Sequence, residues 1–134
     1  MVFTDEKKEE QISNEFVPIK SLNTLSGEDW LIKARVTKKG KKVCYSNGCL
    51  FKIELIDEEG TQIECTCYKD TFDIFYDKID EGKIYTLTKA QMTHANKKFT
   101  SIQNDFRIIF TTYTEIKEYV PKDDERQSIE SSKF

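Results

Sequence analysis

A change of hydrophobic period in the middle of the chain most constrains its fold. Apolar side chains recur at positions 72, 75, 76 and 79, the spacing of one stripe along a helix, with Asp70 as the expected N-cap and Gly82 just past the end. Before and after this stripe, apolar and polar residues alternate, as they do in half-buried strands. The pattern therefore predicts one helix between the third and fourth of five strands, which span residues 30–37, 50–56, 62–68, 83–89 and 99–112.

The turn and loop signals predict how these strands are connected. Asp57–Gly60 is typical of a turn, so the second and third strands should form a hairpin. Two polar loops, Lys38–Gly48 and Gln91–Lys98, connect the first strand to the second and the fourth to the fifth. This is the plan of the OB-fold, a Greek-key barrel whose ligand face lies on strands two and three beneath those loops. We expect an all-β, five-stranded OB-fold over residues 17–114, with a flexible linker at 1–16 and a linker or tail at 115–134.

Charge is distributed unevenly along the chain. The net charge is −3, yet residues 30–114 carry 14 basic and 11 acidic side chains, so the acidic excess lies in the two ends. Trp30–Ile53 holds seven cations and no carboxylate. Such a run is often only a solvated face. Its position in a loop that should close over the ligand face favours nucleic acid as the partner.

Several functional classes do not fit the composition. No run of 18 apolar residues exists, and the charged N-terminus lacks the apolar stretch of a signal peptide, so we expect an intracellular chain without a membrane partner. There is one histidine, and neither a glycine-rich phosphate loop nor a carboxylate pair beside a nucleophile is present. We therefore expect neither an enzyme nor a cofactor.

The four cysteines form two pairs of different character. Cys44 and Cys49 are five apart in a predicted loop, which is near a metal-ligand spacing. Cys65 and Cys67 share one face of a predicted strand, which fits two small buried side chains. In an intracellular chain a disulfide framework is not expected. A structural zinc site is the less favoured reading of these residues, and no metal is predicted.

Ala95–Thr100 places two cations and an amide beside an aromatic ring where a loop becomes a strand. Phosphates of a single strand could meet Lys97 and Lys98, while a base stacks on Phe99. Tyr68 falls on the polar face of the third strand, where an aromatic ring is exposed unless a ligand covers it. Both rings therefore suggest a single-stranded nucleic acid.

Four separated groups of residues, which cover about residues 17–120, point to a known family: Val17–Leu22, Ala34–Thr37, Leu50–Phe51 with Glu54–Glu58, and Ala95–Thr100 with Asn104–Asp105. In sequence and in order they resemble the first single-stranded-DNA-binding domain of the replication protein A large subunit. The resemblance implies an OB-fold that binds single-stranded DNA without catalysis, in a nuclear protein of DNA replication, repair or telomere maintenance. It also implies neighbouring OB domains in the same chain and further subunits as partners.

The resemblance implies a set of site residues. Tyr68 and Phe99 occupy the positions of the two base-stacking aromatics, and Tyr45 matches a third aromatic in the first loop. The candidate backbone and polar contacts are Lys38, Lys39, Lys41, Lys42, Asn47, Lys69, Asn96, Lys97, Lys98 and Arg107.

Two positions depart from the pattern of this family. Glu64 stands where a basic residue is usual, and Arg107 stands where an acidic one is usual. Glu64 could pair with Arg107 or repel a phosphate. The exchange leaves room for a specialised paralogue, such as a telomerase-associated one, and for an OB-fold protein-interaction module with little nucleic-acid affinity.

Overall fold

The computed structural model describes residues 16–46, 48–98, 100–121 and 134, with only the backbone at Lys69. This part of the chain contains one α-helix, α1 (Lys69–Phe75), and two short 3₁₀ turns (Ile19–Ser21 and Tyr76–Lys78). Its strands are β1 (Leu31–Lys39), β2 (Val43–Tyr45), β3 (Gly48–Ile56), β4 (Gln62–Cys67), β5 (Ile84–Thr88), β6 (Gln91–His94), β7 (Phe106–Ile109) and β8 (Glu115–Glu118).

The strands form one curled sheet in the order β6-β7-β4-β3-β1-β5-β8, with β2 added beside β3. All neighbours are antiparallel except β4 and β7, which run parallel. The hairpin predicted around Asp57–Gly60 is present, since β3 and β4 pair from Phe51↔Cys67 to Ile56↔Gln62. The helix lies between β4 and β5, as predicted.

A bend at Lys89–Ala90 closes the sheet. β5 pairs with β1 before the bend and β6 pairs with β7 after it, so two residues connect β6, at one edge of the sheet, to β5, the strand next to the other edge. Lys89 has a positive φ of 61°, an uncommon backbone conformation for a non-glycine residue. Its N–H donates to the carbonyl of Glu28 at 2.9 Å, and its carbonyl accepts from Thr114 Oγ1 at 2.8 Å. These bonds hold the bend that makes the sheet a barrel, and the predicted OB-fold is confirmed.

The barrel core follows the alternation in the sequence. Ile32, Ala34 and Val36 of β1 are buried, as are the alternate residues Phe51, Ile53 and Leu55 of β3 and Ile63, Cys65 and Cys67 of β4. The helix stripe closes one end, because the Phe51 ring meets the rings of Phe72 and Tyr76 edge-on at 5.4 and 5.0 Å. Trp30 is also buried and donates from Nε1 to the Gly27 carbonyl.

The element boundaries differ from the sequence prediction in several places. Tyr68, not Asp70, is the N-cap of α1, and Asp70 lies in the first helical turn. Strands β2 and β6 occupy parts of the two predicted loops, and the last predicted strand is reduced to Phe106–Ile109. β8 pairs with β5 inside the segment predicted to be tail, so the fold extends past residue 114. The pairings of β7 with β4 and of β8 with β5 join segments distant in sequence, which local patterns do not report.

The structure contradicts the prediction for one pair of cysteines and confirms it for the other. Cys44 and Cys49 face each other across β2 and β3 and form a disulfide, contrary to the expectation from an intracellular chain. Cys65 and Cys67 are free and buried, as predicted. Burial raises the pKa of the Cys65 thiol well above its usual value, and it also raises the pKa of Cys67. No group of three or more metal-ligating side chains occurs in the described ranges.

Asp57 ties the start of the domain to the β3–β4 turn. Its Oδ2 accepts a hydrogen bond from the N–H of Ile19 at 2.8 Å, and its Oδ1 accepts from the N–H groups of Glu59 and Thr61, both at 3.0 Å. The carboxylate is buried and thus serves three backbone donors that would otherwise lose their partner.

We predict that Asp57→Ala lowers the free energy of unfolding by about 3 kcal/mol, because it leaves one buried and two partly buried backbone donors unpaired. Urea unfolding of the variant and wild type measures the change. Glu59→Ala is the matched control, since it removes a carboxylate of the same turn whose ion pair with Lys20 is exposed and so adds little to stability. Equal effects of the two substitutions would contradict the role given to Asp57.

We predict that opening the Cys44–Cys49 disulfide loosens the β2–β3 hairpin while the barrel remains folded. Cross-links that close short loops contribute about 2 kcal/mol, and here that contribution is local to the hairpin. In a Cys44→Ser, Cys49→Ser double variant, hydrogen exchange should accelerate at the amides of β2 and remain slow in β4. A reductant should reproduce this pattern in the wild type and have no effect on the variant. Unchanged exchange in β2 would refute the prediction.

Candidate nucleic-acid interface

A groove with a volume of about 340 Å³ crosses the barrel face built by β1, β3 and β4. The β1–β2 connection and the β2–β3 hairpin form one wall, and the residues after position 99 form part of the other. The groove is lined by Lys38, Gly40, Lys41, Val43, Tyr45, Leu50, Lys52, Glu54, Glu64, Thr100 and Ser101. The first polar loop thus lines the groove, whereas the second is represented, among the described residues, only by Thr100 and Ser101, which follow it.

Strand register places four charged residues in one row across this face. Lys38 of β1 is paired with Glu54 of β3, Glu54 with Glu64 of β4, and Glu64 with Arg107 of β7. Residues paired in register point to the same side of a sheet, with Cβ atoms ~4.5–5.5 Å apart in antiparallel pairs. We call these residues the charged row. Two carboxylates thus lie side by side in the middle of the face, with a cation at each end.

Gly40 allows the cationic β1–β2 connection to approach β3 closely. Its N–H donates to the Lys52 carbonyl at 2.8 Å, and a Cβ at this position would lie 3.0 Å from the same oxygen. The close approach brings Lys41 against β3, next to Lys52 and Leu50 at the groove. A side chain at position 40 would push this wall away from the barrel.

Tyr45 is held at the groove by the β2–β3 hairpin. It is paired with Gly48 at the tip, the disulfide closes the hairpin one residue earlier, and 63% of Tyr45 is exposed. Exposed rings of this size are the surfaces on which bases stack. The structure therefore brings Tyr45 together with Lys38 and Lys41, three of the candidate residues, around one groove. Asn47, also predicted for this loop, lies outside the described residues.

Tyr68 extends the groove face of β4 beyond the end of that strand. Glu64 and Thr66 point to the side opposite the buried Ile63 and Cys65, and Tyr68 follows in the same alternation with an extended backbone. It is 42% exposed and lines a second depression of about 320 Å³ with the start of α1 and residues 109–112. Tyr45 and Tyr68 thus line different depressions. The side chain of Lys69, the next residue, is not described.

Two of the cations predicted in the first loop contact the protein itself, away from the groove. The Lys39 ammonium donates to the Tyr76 carbonyl at 2.6 Å and lies 4.3 Å from the centre of the Tyr76 ring. Lys42 lies over the Phe72 ring at 5.2 Å. Arg35 of β1, which is not among the candidate contacts, donates to the Gly82 carbonyl at 2.6 Å. Lys39 and Lys42 therefore brace the first loop against the helix.

The β6–β7 connection presents the second cationic segment. Lys97 pairs with Asp105 at 3.1 Å, and Lys98 is exposed. Asn96 orders the turn, because its Oδ1 accepts from the Lys98 N–H at 3.1 Å. Phe99 lies outside the described residues, and Thr100 and Ser101 after it line the groove. Lys97 and Asn96 thus have partners inside the protein.

Arg107 lies partly buried beside the groove. Its Nη1 donates to Thr66 Oγ1 at 3.4 Å, while its buried Nε has no hydrogen-bond partner in the part of the chain that the structure describes. Glu64 pairs at 4.0 Å with Lys52, not with Arg107. Sequence reasoning did not single out Lys52 or Glu54 as site residues, although both alternate with Phe51, Ile53 and Leu55 and so had to point to the polar face.

Comparison with known proteins identifies the family of this chain and several of its relatives. A family described as "Domain of unknown function DUF223" matches residues 22–130. The replication protein A 70 kDa DNA-binding subunit of Gallus gallus is 43% identical over 112 residues, which are 81% of this chain and 17% of that relative. The chain thus spans about a sixth of the length of such curated relatives.

Two solved structures have the same fold at significant sequence identity. A replication protein A heterotrimer bound to single-stranded DNA matches with a TM-score of 0.75 and 35% identity, over 79% of this chain and 25% of that one. DNA-binding domain A of replication protein A from S. cerevisiae matches with a TM-score of 0.64 and 28% identity, over 81% of this chain and 96% of that domain. The chain belongs to the DUF223 family, and it is similar to the OB-fold DNA-binding domains of the replication protein A 70 kDa subunit.

Proposed function

We propose that this domain binds single-stranded DNA in the groove between its two cationic connections, by stacking bases on aromatic rings and contacting phosphates with lysines. The observation that carries the proposal is the placement of Lys38, Lys41 and the exposed ring of Tyr45 around one groove. An exposed ring beside mobile cations suits a flexible polyanion with flat bases. The relatives named as DNA-binding subunits support the same ligand.

The aromatic residues carry the larger share of the affinity. Stacking contributes ~1–3 kcal/mol per base, so Tyr68 and Phe99 together supply roughly 2–6 kcal/mol before ordering costs. Phe99 is assigned from the resemblance, and the groove position of Thr100 and Ser101 supports it. Tyr45 adds a third ring from the hairpin. Lys38, Lys41, Lys52 and Lys98 are the phosphate contacts, and binding is non-catalytic.

The domain works as one module of a longer assembly. Its length relative to the curated relatives supports a setting with neighbouring OB domains and other subunits. Tethering makes a second binding event intramolecular, so several weak modules hold one strand tightly. We place this assembly in the nucleus, in DNA replication or repair or in telomere maintenance.

A protein-interaction module is the second candidate function. Glu54 and Glu64 face each other across β3 and β4 in the groove, where carboxylates oppose a polyanion. Fluorescence polarisation with single-stranded oligonucleotides at two salt concentrations separates the candidates. Absence of binding at low salt favours the interaction module, because the lysine contribution is largest there.

We predict that Tyr68→Ala combined with Phe99→Ala reduces affinity for a short single strand at least about tenfold, since two stacking platforms are lost. Fluorescence polarisation measures the change, and circular dichroism checks the fold. Tyr113→Ala is the matched control, because Tyr113 is 75% exposed and lines neither depression. Unchanged affinity in a folded double variant would refute the stacking assignment.

We predict that Lys38→Ala combined with Lys41→Ala makes binding less sensitive to salt. Each neutralised phosphate on a single strand contributes about 0.7 to the slope of log affinity against log salt concentration, so the slope should become shallower by roughly 1.4. Lys20→Ala is the control, since Lys20 pairs with Glu59 at the β3–β4 turn and does not line the groove. An equal change in the control would show that the slope reports overall charge.

A further inference from the structure

We propose that Glu64, with Glu54 beside it, hydrogen-bonds the donor edge of a base and gives the groove a preference for guanine over thymine. This inference rests on the proposed single-stranded-DNA function and adds base specificity to it. It starts from the middle of the charged row, where two carboxylates occupy a groove whose other charged lining residues are lysines.

Glu64 is buried, and its charged partner Lys52 lies at the far limit of an ion pair. The residue is 8% exposed, and its Oε1 lies 4.0 Å from Nζ of Lys52, beyond hydrogen-bond range. Among the described residues its carboxylate accepts no hydrogen bond. Buried carboxylates are ordinarily paired or hydrogen-bonded, because desolvation of the charge is otherwise uncompensated. Glu64 thus has free acceptor capacity at the floor of the groove.

The neighbouring Glu54 of the charged row further destabilises the ionised Glu64 carboxylate in the absence of a ligand. Like charges directly opposite each other destabilise an antiparallel pair, and Glu54 and Glu64 are such a pair. Arg107, the next residue in the row, leaves its buried Nε without a hydrogen-bond partner in the described structure. The row thus combines a carboxylate that accepts no hydrogen bond from the described residues with a neighbouring buried donor that has no partner among them. Of these two groups, Glu64 lines the groove, so it is the one that a ligand could reach.

The chemistry of the carboxylates selects which part of a nucleotide they can contact. An ionised carboxylate accepts hydrogen bonds and donates none, so it repels a phosphate and fits the N–H groups of a base. Single strands expose their Watson–Crick edges to such contacts. Guanine presents two adjacent donors there, N1–H and the N2 amino group, which match the two oxygens of one carboxylate. Thymine presents a single N–H between two carbonyl oxygens, which face the carboxylate unfavourably.

Different positions in the groove would contact the phosphates and the bases of the strand. Lys38 and Lys41 lie where the β1 end and the loop meet solvent, and they contact the backbone of the strand. The carboxylates lie deeper, at the level of the sheet, where the base edge of a strand held by those lysines would point. Sequence is read at base edges, while phosphate contacts position the strand.

The test compares two eight-nucleotide strands on the full 134-residue chain by fluorescence anisotropy. One strand is all thymine, and the other alternates thymine with isolated guanines in a lithium buffer that prevents guanine quartets. The variant is Glu64→Gln, which keeps the side-chain volume and replaces one acceptor oxygen with a donor. Glu59→Gln is the matched control, because it removes the same charge at an exposed position outside the groove.

We expect the wild type and the Glu59→Gln control to bind the guanine-containing strand roughly 5- to 100-fold more tightly than the thymine strand, the range of one bidentate contact. Glu64→Gln should reduce this ratio to within about twofold of unity. If Glu64 only repels phosphates, the variant will bind both strands more tightly by the same factor, and the inference is overturned while the proposed function stands. A wild type that binds neither strand overturns the proposed function as well.

A second experiment changes the DNA instead of the protein, so its result does not depend on the folding of a variant. Inosine in place of each guanine removes the N2 amino group and leaves N1–H, O6 and N7 unchanged. The wild type should lose at least about fivefold of its preference, because one of the two donors is absent. Equal wild-type affinities for the inosine and guanine strands would overturn the contact with the donor edge.

Discussion

The bend at Lys89–Ala90 is the constraint on which the rest of the architecture depends. Because β5 and β6 are successive halves of one bent strand, the chain pairs with β1 on one side and with β7 on the other. That double pairing sets β7 parallel to β4, and the parallel register places Arg107 beside Glu64. The bend is held by the Lys89 N–H, which donates to the Glu28 carbonyl, and by the Thr114 hydroxyl, which donates to the Lys89 carbonyl. These partners lie far in sequence from the groove residues of β3 and β4.

Local pattern predicted much of this fold, for a physical reason that is visible in β3 and β4. One face of each strand is buried completely, so Phe51, Ile53 and Leu55 alternate strictly with polar residues, and period-two alternation identifies both the strand and its outward face. The same logic identified the stripe of α1, whose rings close the barrel against Phe51. The short strands β2 and β8 bury little, so no alternation identified them, and the pairing of β8 with β5 joins segments far apart in sequence.

The candidate site was predictable in position and less so in detail. Loop composition located the cationic wall, and Lys38, Lys41 and Tyr45 do line one groove. Composition did not separate these cations from Lys39 and Lys42, which turn back onto the rings of Tyr76 and Phe72. Cation–ring contacts of this kind depend on how the loop folds over the helix, and that information is spread over α1 and the β1–β2 connection. The disulfide likewise depends on the β2–β3 register, which brings two loop cysteines into opposition.

The charged row explains how a chain with net negative charge can carry a site for a polyanion. Charge at the groove mouth and charge at its floor act on different parts of a strand, because exposed lysines interact through screened, long-range attraction and buried carboxylates through short, directional hydrogen bonds. A carboxylate at the depth of Glu64 weakens the attraction of Lys52, which lies 4.0 Å away, more than that of the exposed Lys41. The exchange of charge between Glu64 and Arg107 relative to the replication protein A pattern therefore leaves the cationic wall in place. What it changes is the set of hydrogen-bonding groups at the bottom of the groove.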